Sequence, residues 1–221
     1  MILFLGVIVL AVVAGLIAGG SIQRFGELRL RWWALAPIGF ALQGVPLPDG
    51  RHGSDLLIRM LVFGTSYVLV IAFAVKNWRF AGVPLIVLGL FLNGLVVTAN
   101  GGMPVSRSAL EASGQPEVLH LLLEDEGAKH HLLDAHQDAL TPLADVIPIP
   151  PPIAQVASIG DIWVYAGLVW LIFAIMRGRT AGLDRDPVSD PYRGRHRRRI
   201  RAEHRSNPTA PAPATTSGTE P

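Results

Sequence analysis

Five apolar runs, at residues 2–20, 32–47, 56–75, 80–99 and 161–176, alternate along the chain with polar or charged stretches. A helix rises 1.5 Å per residue, so about 20 mostly apolar residues cross a hydrocarbon layer of about 30 Å. The pattern predicts an all-α integral membrane helix bundle of about five spans. The first run is uncharged, and its first basic residue, Arg24, follows it. That order favours a spanning helix over a signal peptide. Ala11, Gly15 and Gly19 form a ridge of small residues suited to close helix packing, with lipid-facing filler as the alternative. Run 32–47 is shorter, contains Pro37 and opens on the interfacial pair Trp32 and Trp33, so a re-entrant path is its alternative. Runs 56–75 and 80–99 predict a tight helical hairpin.

Charge gives these runs a direction. With the N-terminus outside, the inner segments are residues 20–31, 76–79 and 177–221. They hold 15 of the 19 Lys and Arg but 6 of the 17 acidic residues. Topology follows the Lys and Arg of short loops, and each inner loop satisfies that rule. If run 32–47 did not cross, the first two basic groups would fall on opposite sides. The expected organisation is four transmembrane helices in residues 1–99, an extracytoplasmic loop at 100–157, a fifth transmembrane helix at 158–176 and a basic cytoplasmic tail at 177–221. A bacterial cytoplasmic membrane is the expected location. A mean hydropathy of +0.40 agrees, and the lack of cysteine excludes disulfides and thiolate metal sites.

The long loop opens on Asn100-Gly101-Gly102-Met103-Pro104, residues that end a helix and prevent its continuation. Residues 106–113 and 116–124 predict short amphipathic helices broken at Gly114. Residues 130–140 predict another, with Leu132, Leu133 and Leu140 as its stripe. Pro148, Pro150, Pro151 and Pro152 predict an extended approach to the last span, where Ser158 is placed to cap and Asp161 to complement the helix dipole. The sequence Asn93-Gly94, the Asn100–Ser106 motif, Leu143-Ala144-Asp145-Val146-Ile147-Pro148 and Ser158-Ile159-Gly160-Asp161 together resemble a family of small bacterial multi-pass membrane proteins known as a domain of unknown function. The resemblance covers roughly residues 1–180. It implies a membrane helix bundle and carries no activity or catalytic residue.

Candidate chemistry is sparse. On a helix, His130 and Asp134 share a face, and with His131 they are candidate metal ligands or an acid–base pair. His120 and Glu124 repeat the spacing. A solvated helix face is the plainer reading, because the His-Glu-x-x-His order of a zinc hydrolase is missing. Beyond that candidate ion, no cofactor is expected. Arg59 lies inside a span, where a charge is expensive, and Asp55 one turn earlier offers a partner. Gln43 and Asn93 suit interhelical hydrogen bonds. Asn100, Gly101, Gly102, Pro104, Asp145, Ser158 and Asp161 are expected to act structurally or at an interface. The tail should be disordered, with Arg195, Arg197, Arg198, Arg199 and Arg201 touching anionic headgroups. Nucleic acid is disfavoured, since no stacking aromatics accompany those arginines. Three roles follow as expectations. The first is a non-enzymatic accessory or scaffold whose loop meets a protein partner. The second is an extracytoplasmic enzyme or metal binder using residues 130–136. The third is a small transporter using Arg59, Asn93 and Gln43.

Overall fold

In a computed structural model, residues 2–48, 53–124 and 129–179 are described. The five tail arginines, from Arg195 to Arg201, lie outside these residues. The chain is mostly helical. Its long helices are α3 (Gly53–Lys76), α4 (Val83–Asn100) and α7 (Ile159–Met176), each long and apolar enough to span a membrane. Helix α1 (Ile2–Ile17) is apolar but has 16 residues, about 24 Å. It is shorter than the expected run because Gly19 turns the chain into the left-handed region (φ 75°).

Run 32–47 departs most from the expected set of full-length helices. Only α2 (Leu35–Leu42) is helical, eight residues or about 12 Å. Trp32 adopts φ 56° just before it. Pro37 is tolerated in its first turn, while Pro46 and Pro48 bar a continuation past Gly44. Yet the segment runs the length of α3. At one end Arg31 N donates to Asn77 Oδ1 (2.9 Å) and Asn77 Nδ2 donates to Arg31 O (2.8 Å). At the other, Arg59 Nη1 donates to Pro48 O (3.1 Å). Those anchors are about 27 Å apart along α3. The run is therefore a broken helix lying beside a continuous one.

The bundle packs through small residues. Helix α7 lies against both α4 and α1, and α3 lies against α4 and α2. A Cβ on Gly89 or Gly160 would run into the backbone of the facing helix, and Gly82 and Gly167 repeat that contact one heptad away. Glycines seven apart on two antiparallel helices thus bring the backbones into contact. Ala11 and Gly15 of α1 are buried against Ile172 and Met176, so these two residues of the expected ridge form a packing surface, while Gly19 is exposed in the turn beyond the helix.

The described residues between Gly101 and Ser158 fold into a cap. Its elements are β1 (Met103–Val105), α5 (Arg107–Ala112), α6 (Pro116–Glu124), β2 (His130–Leu132), β3 (Ile147–Ile149) and β4 (Gln155–Ala157). Helices α5 and α6 fall where the pattern placed them, and Ser106 caps α5 by accepting from Ala109 N. The strands correct the all-α expectation. β1 pairs in parallel with β2, Val105 also bridges Asp145, and β3 pairs antiparallel with β4. The cap has its own core of Val105, Ala109, Leu110 and Val156.

Candidate functional site

The expected helix at residues 130–140 is instead strand β2 followed by a turn. β1 is fully buried, and its backbone groups need partners. Met103 N donates to Lys129 O (2.7 Å) and Leu133 N to Val105 O (2.9 Å), which a helix at 130–140 would forfeit. Alternation along the strand exposes His130 and buries His131. The metal set His130, His131 and Asp134 therefore does not assemble. No group of three His, Asp or Glu side chains is placed to hold a metal ion among the described residues.

His131 pairs with a residue that sequence reasoning did not single out. Its Nε2 lies 3.0 Å from Asp138 Oδ1. Asp138 Oδ2 accepts from Asp134 N (2.8 Å), and Asp134 Oδ1 accepts from His136 N (2.9 Å). His131 and Asp138 are both buried, and together they pin the turn to β2. The available signal was the pair of turn-forming aspartates at residues 134 and 138. Glu124's side chain, paired with His120 in the expectation, lies outside the described residues.

The helix ends meeting the cap are tied by side chains that read backbone. Asn100 Nδ2 donates to Ala139 O (3.0 Å), and its Oδ1 accepts from Ala139 N (2.7 Å). Gly101 takes φ 65°, and its carbonyl accepts from Arg59 Nε (2.8 Å). Gly102 has no room for a Cβ, which would meet Lys129 O at 2.8 Å and His131 Nδ1 at 3.2 Å. Pro104 O accepts from Asp145 N (3.0 Å). Arg59 is fully buried, with its guanidinium 5.9 Å from the Phe63 ring. Asp55, its expected partner, instead accepts from Ser54 Oγ (3.4 Å).

At the start of α7 three expected residues converge. Ser158 and Asp161 form a reciprocal capping box. Asn93 Nδ2 donates to Asp161 Oδ1 (2.8 Å), and Ser158 Oγ donates to Asn93 Oδ1 (2.9 Å). Asn93 therefore locks α4 to the α7 N-terminus. Of the transporter set, Arg59 and Asn93 serve as ties of this kind.

A charged cluster lies beside them. Lys129 reaches from the cap to donate to Gln43 Oε1, and Gln43 Nε2 donates to Ser66 Oγ (2.9 Å). Burial lowers the Lys129 ammonium from its ordinary value, opposed by Asp161 and Asp145. Asp145 is buried, and its Oδ1 has no hydrogen-bond partner among the described residues. Burial, reinforced by Asp161 and opposed by Lys129, pushes its carboxyl up to about 8. A cleft of about 480 Å³ lies at the cap junction, and its lining includes Asn100, His131, Asp134, Gln137 and Asp138.

Broken and continuous apolar helices under a folded cap define a helical protein with membrane-spanning character. The chain belongs to the family of unknown function DUF5317, which matches residues 27–173. An uncharacterized protein of Thermotoga maritima is 29% identical over 163 residues, covering 72% of this chain and 83% of the relative. No solved structure matches.

Proposed function

We propose that this chain is a multi-pass protein of the bacterial cytoplasmic membrane that acts as a non-enzymatic accessory subunit. It crosses five times, with the N-terminus outside, and the cap meets a protein partner outside the membrane. The segregation of Lys and Arg supports the orientation. The broken α2 segment is tied to α3 at both ends, by Arg31 with Asn77 and by Pro48 with Arg59, which supports a path alongside that helix and hence the fifth crossing.

One observation carries the accessory role. The cap is a folded unit with its own core, tied to the bundle by Asn100, Arg59 and Lys129. His131 and Asp138 act as structural pins, so the cap offers a surface rather than an assembled reactive centre. On that surface α6 exposes Val118 and Leu121. Crosslinking of the full chain in native membranes, followed by mass spectrometry, tests this role. A stoichiometric partner should be captured by the wild type and lost in Leu121→Asp. Reproducible absence of a partner, or retention in that variant, contradicts the reading.

A further inference from the structure

The connection between α1 and α2 meets the end of α3 in a joint built by Asn77. Asn77 is buried, and its side-chain amide takes both backbone groups of Arg31, accepting from N and donating to O. The same Nδ2 also donates to Phe73 O (2.8 Å), which fixes the amide to its own helix. Residues 31 and 77 are thereby held side by side. The next residue, Trp32, sits at φ 56°, a left-handed backbone that strains a bulky side chain and is found where ligands are clamped. Lys76 Nζ lies 4.4 Å from the centre of the Trp32 ring.

The joint is one-sided in charge. The two stretches that meet in it, residues 20–34 and 74–82, hold Arg24, Arg29, Arg31, Lys76 and Arg79 against a single acid, Glu27. Arg24 is committed elsewhere, its Nη1 donating to Met176 O (3.1 Å). Arg29, Arg31, Lys76 and Arg79 are exposed, and their charged groups make no hydrogen bond or ion pair among the described residues. Trp33 and Trp78, each next to a residue of the clamp or of its strained turn, are 67% and 63% exposed.

These two features ask for one ligand with two parts. Uncommitted guanidinium and ammonium donors match an oxyanion, and the arginine fork fits the oxygens of a phosphate. Exposed indoles, apolar in body and polar at one edge, match a molecule that joins that oxyanion to hydrocarbon. A free phosphate would satisfy only the donors. Val68 and Val75 of α3, seven residues apart on one face, stay exposed and lead up to Lys76, which extends the apolar surface away from the charges.

We infer that this joint binds one anionic phospholipid, its phosphate on Arg31 and Lys76 and its apolar part against the neighbouring indoles and the exposed face of α3. A zwitterionic headgroup brings its own ammonium toward the basic cluster and is held more weakly. This inference rests on the membrane reading above, which puts the joint at the cytoplasmic end.

Native mass spectrometry of the full-length protein, equilibrated separately with phosphatidylglycerol and phosphatidylcholine, tests it. One phosphatidylglycerol should be retained about tenfold more strongly than phosphatidylcholine. The double variant Arg31→Gln, Lys76→Gln, at exposed positions, should bring that ratio to about twofold or less with a melting temperature close to wild type. Arg107→Gln, an exposed arginine at the start of α5 in the cap, should leave the ratio unchanged. An excess of glycerol 3-phosphate or of polyglutamate should not displace the lipid. Equal retention of the two lipids, an unchanged ratio in the double variant, or displacement by either competitor, which marks a site for a simple anion or an acidic chain, overturns the inference. Equal retention still leaves the membrane reading intact, whereas a protein that holds neither lipid contradicts both.

Discussion

Asp145 shows how far a single side chain can be set by its surroundings. Its backbone is committed on both sides, to Pro104 O and to Ser106 N, so the carboxyl is carried into the interior. Folded Asp145 holds its proton up to about pH 8, whereas an unfolded aspartate loses it near pH 4. Between those values the folded state binds the extra proton, so this group's contribution to stability declines as pH rises through that window. Asp145→Asn keeps the shape without the ionisation. It should flatten the fall in melting temperature between pH 5 and pH 8 and raise the melting temperature at pH 8; an unchanged slope contradicts this account. Neighbouring residues differ in how legible they were. Ser158 and Asp161 form a local motif whose spacing states its geometry, and the capping box follows it. Lys129 meets Gln43, 86 positions away, and Arg59 reads the carbonyl of Gly101, 42 positions away. No local pattern encodes such contacts. Asp55 was the natural partner for Arg59 by helical spacing, yet the guanidinium reaches past it to donate to the carbonyls of Gly101 and Pro48.

Among the elements, those that rely on their own sequence were readable and those that rely on a distant partner were not. Helices α5 and α6 have an N-cap at Ser106 and a break at Gly114, and they appear within a residue of the expected bounds. Residues 130–132, His-His-Leu, carry no local pattern that separates helix from strand, and the buried edge of β1 decides for the strand. The α4–α7 seam is the most extensive helix–helix contact among the described residues. Its glycines are visible in the sequence, but their facing register depends on both helices at once. A Cβ on Gly160 would overlap Asn93 Oδ1, part of the lock at the start of α7. Gly160→Ala should therefore lower stability by about 2 kcal/mol or more, read as a loss of melting temperature in detergent. Gly26→Ala, where nothing lies within 4 Å of the added methyl, should leave it unchanged and serves as the control.

At the scale of the whole molecule, the described residues form a row of helices, α1 and α2 short, closed at one end by a folded cap. The row is held by small-residue contacts, as suits helices with no apolar–water contrast to drive them together. Side chains such as Leu57, Leu61 and Val68 on α3 and Phe91 and Leu95 on α4 stay exposed along the helices, a surface that suits hydrocarbon and not water. In the proposed topology cap and bundle belong to different solvents, and the ties at Asn100, Arg59 and Lys129 lie at the boundary between them. The central claim is that the cap is outside and both the α1–α2 connection and the tail are inside. The absence of native cysteine makes this directly measurable with single cysteines at Glu117 in α6, Gln23 between α1 and α2, and Ser189 in the tail. With a membrane-impermeant maleimide on intact cells, Glu117→Cys should label, while Gln23→Cys and Ser189→Cys should label only after permeabilisation. Labelling of Gln23→Cys or Ser189→Cys in intact cells, or protection of Glu117→Cys, would contradict the account.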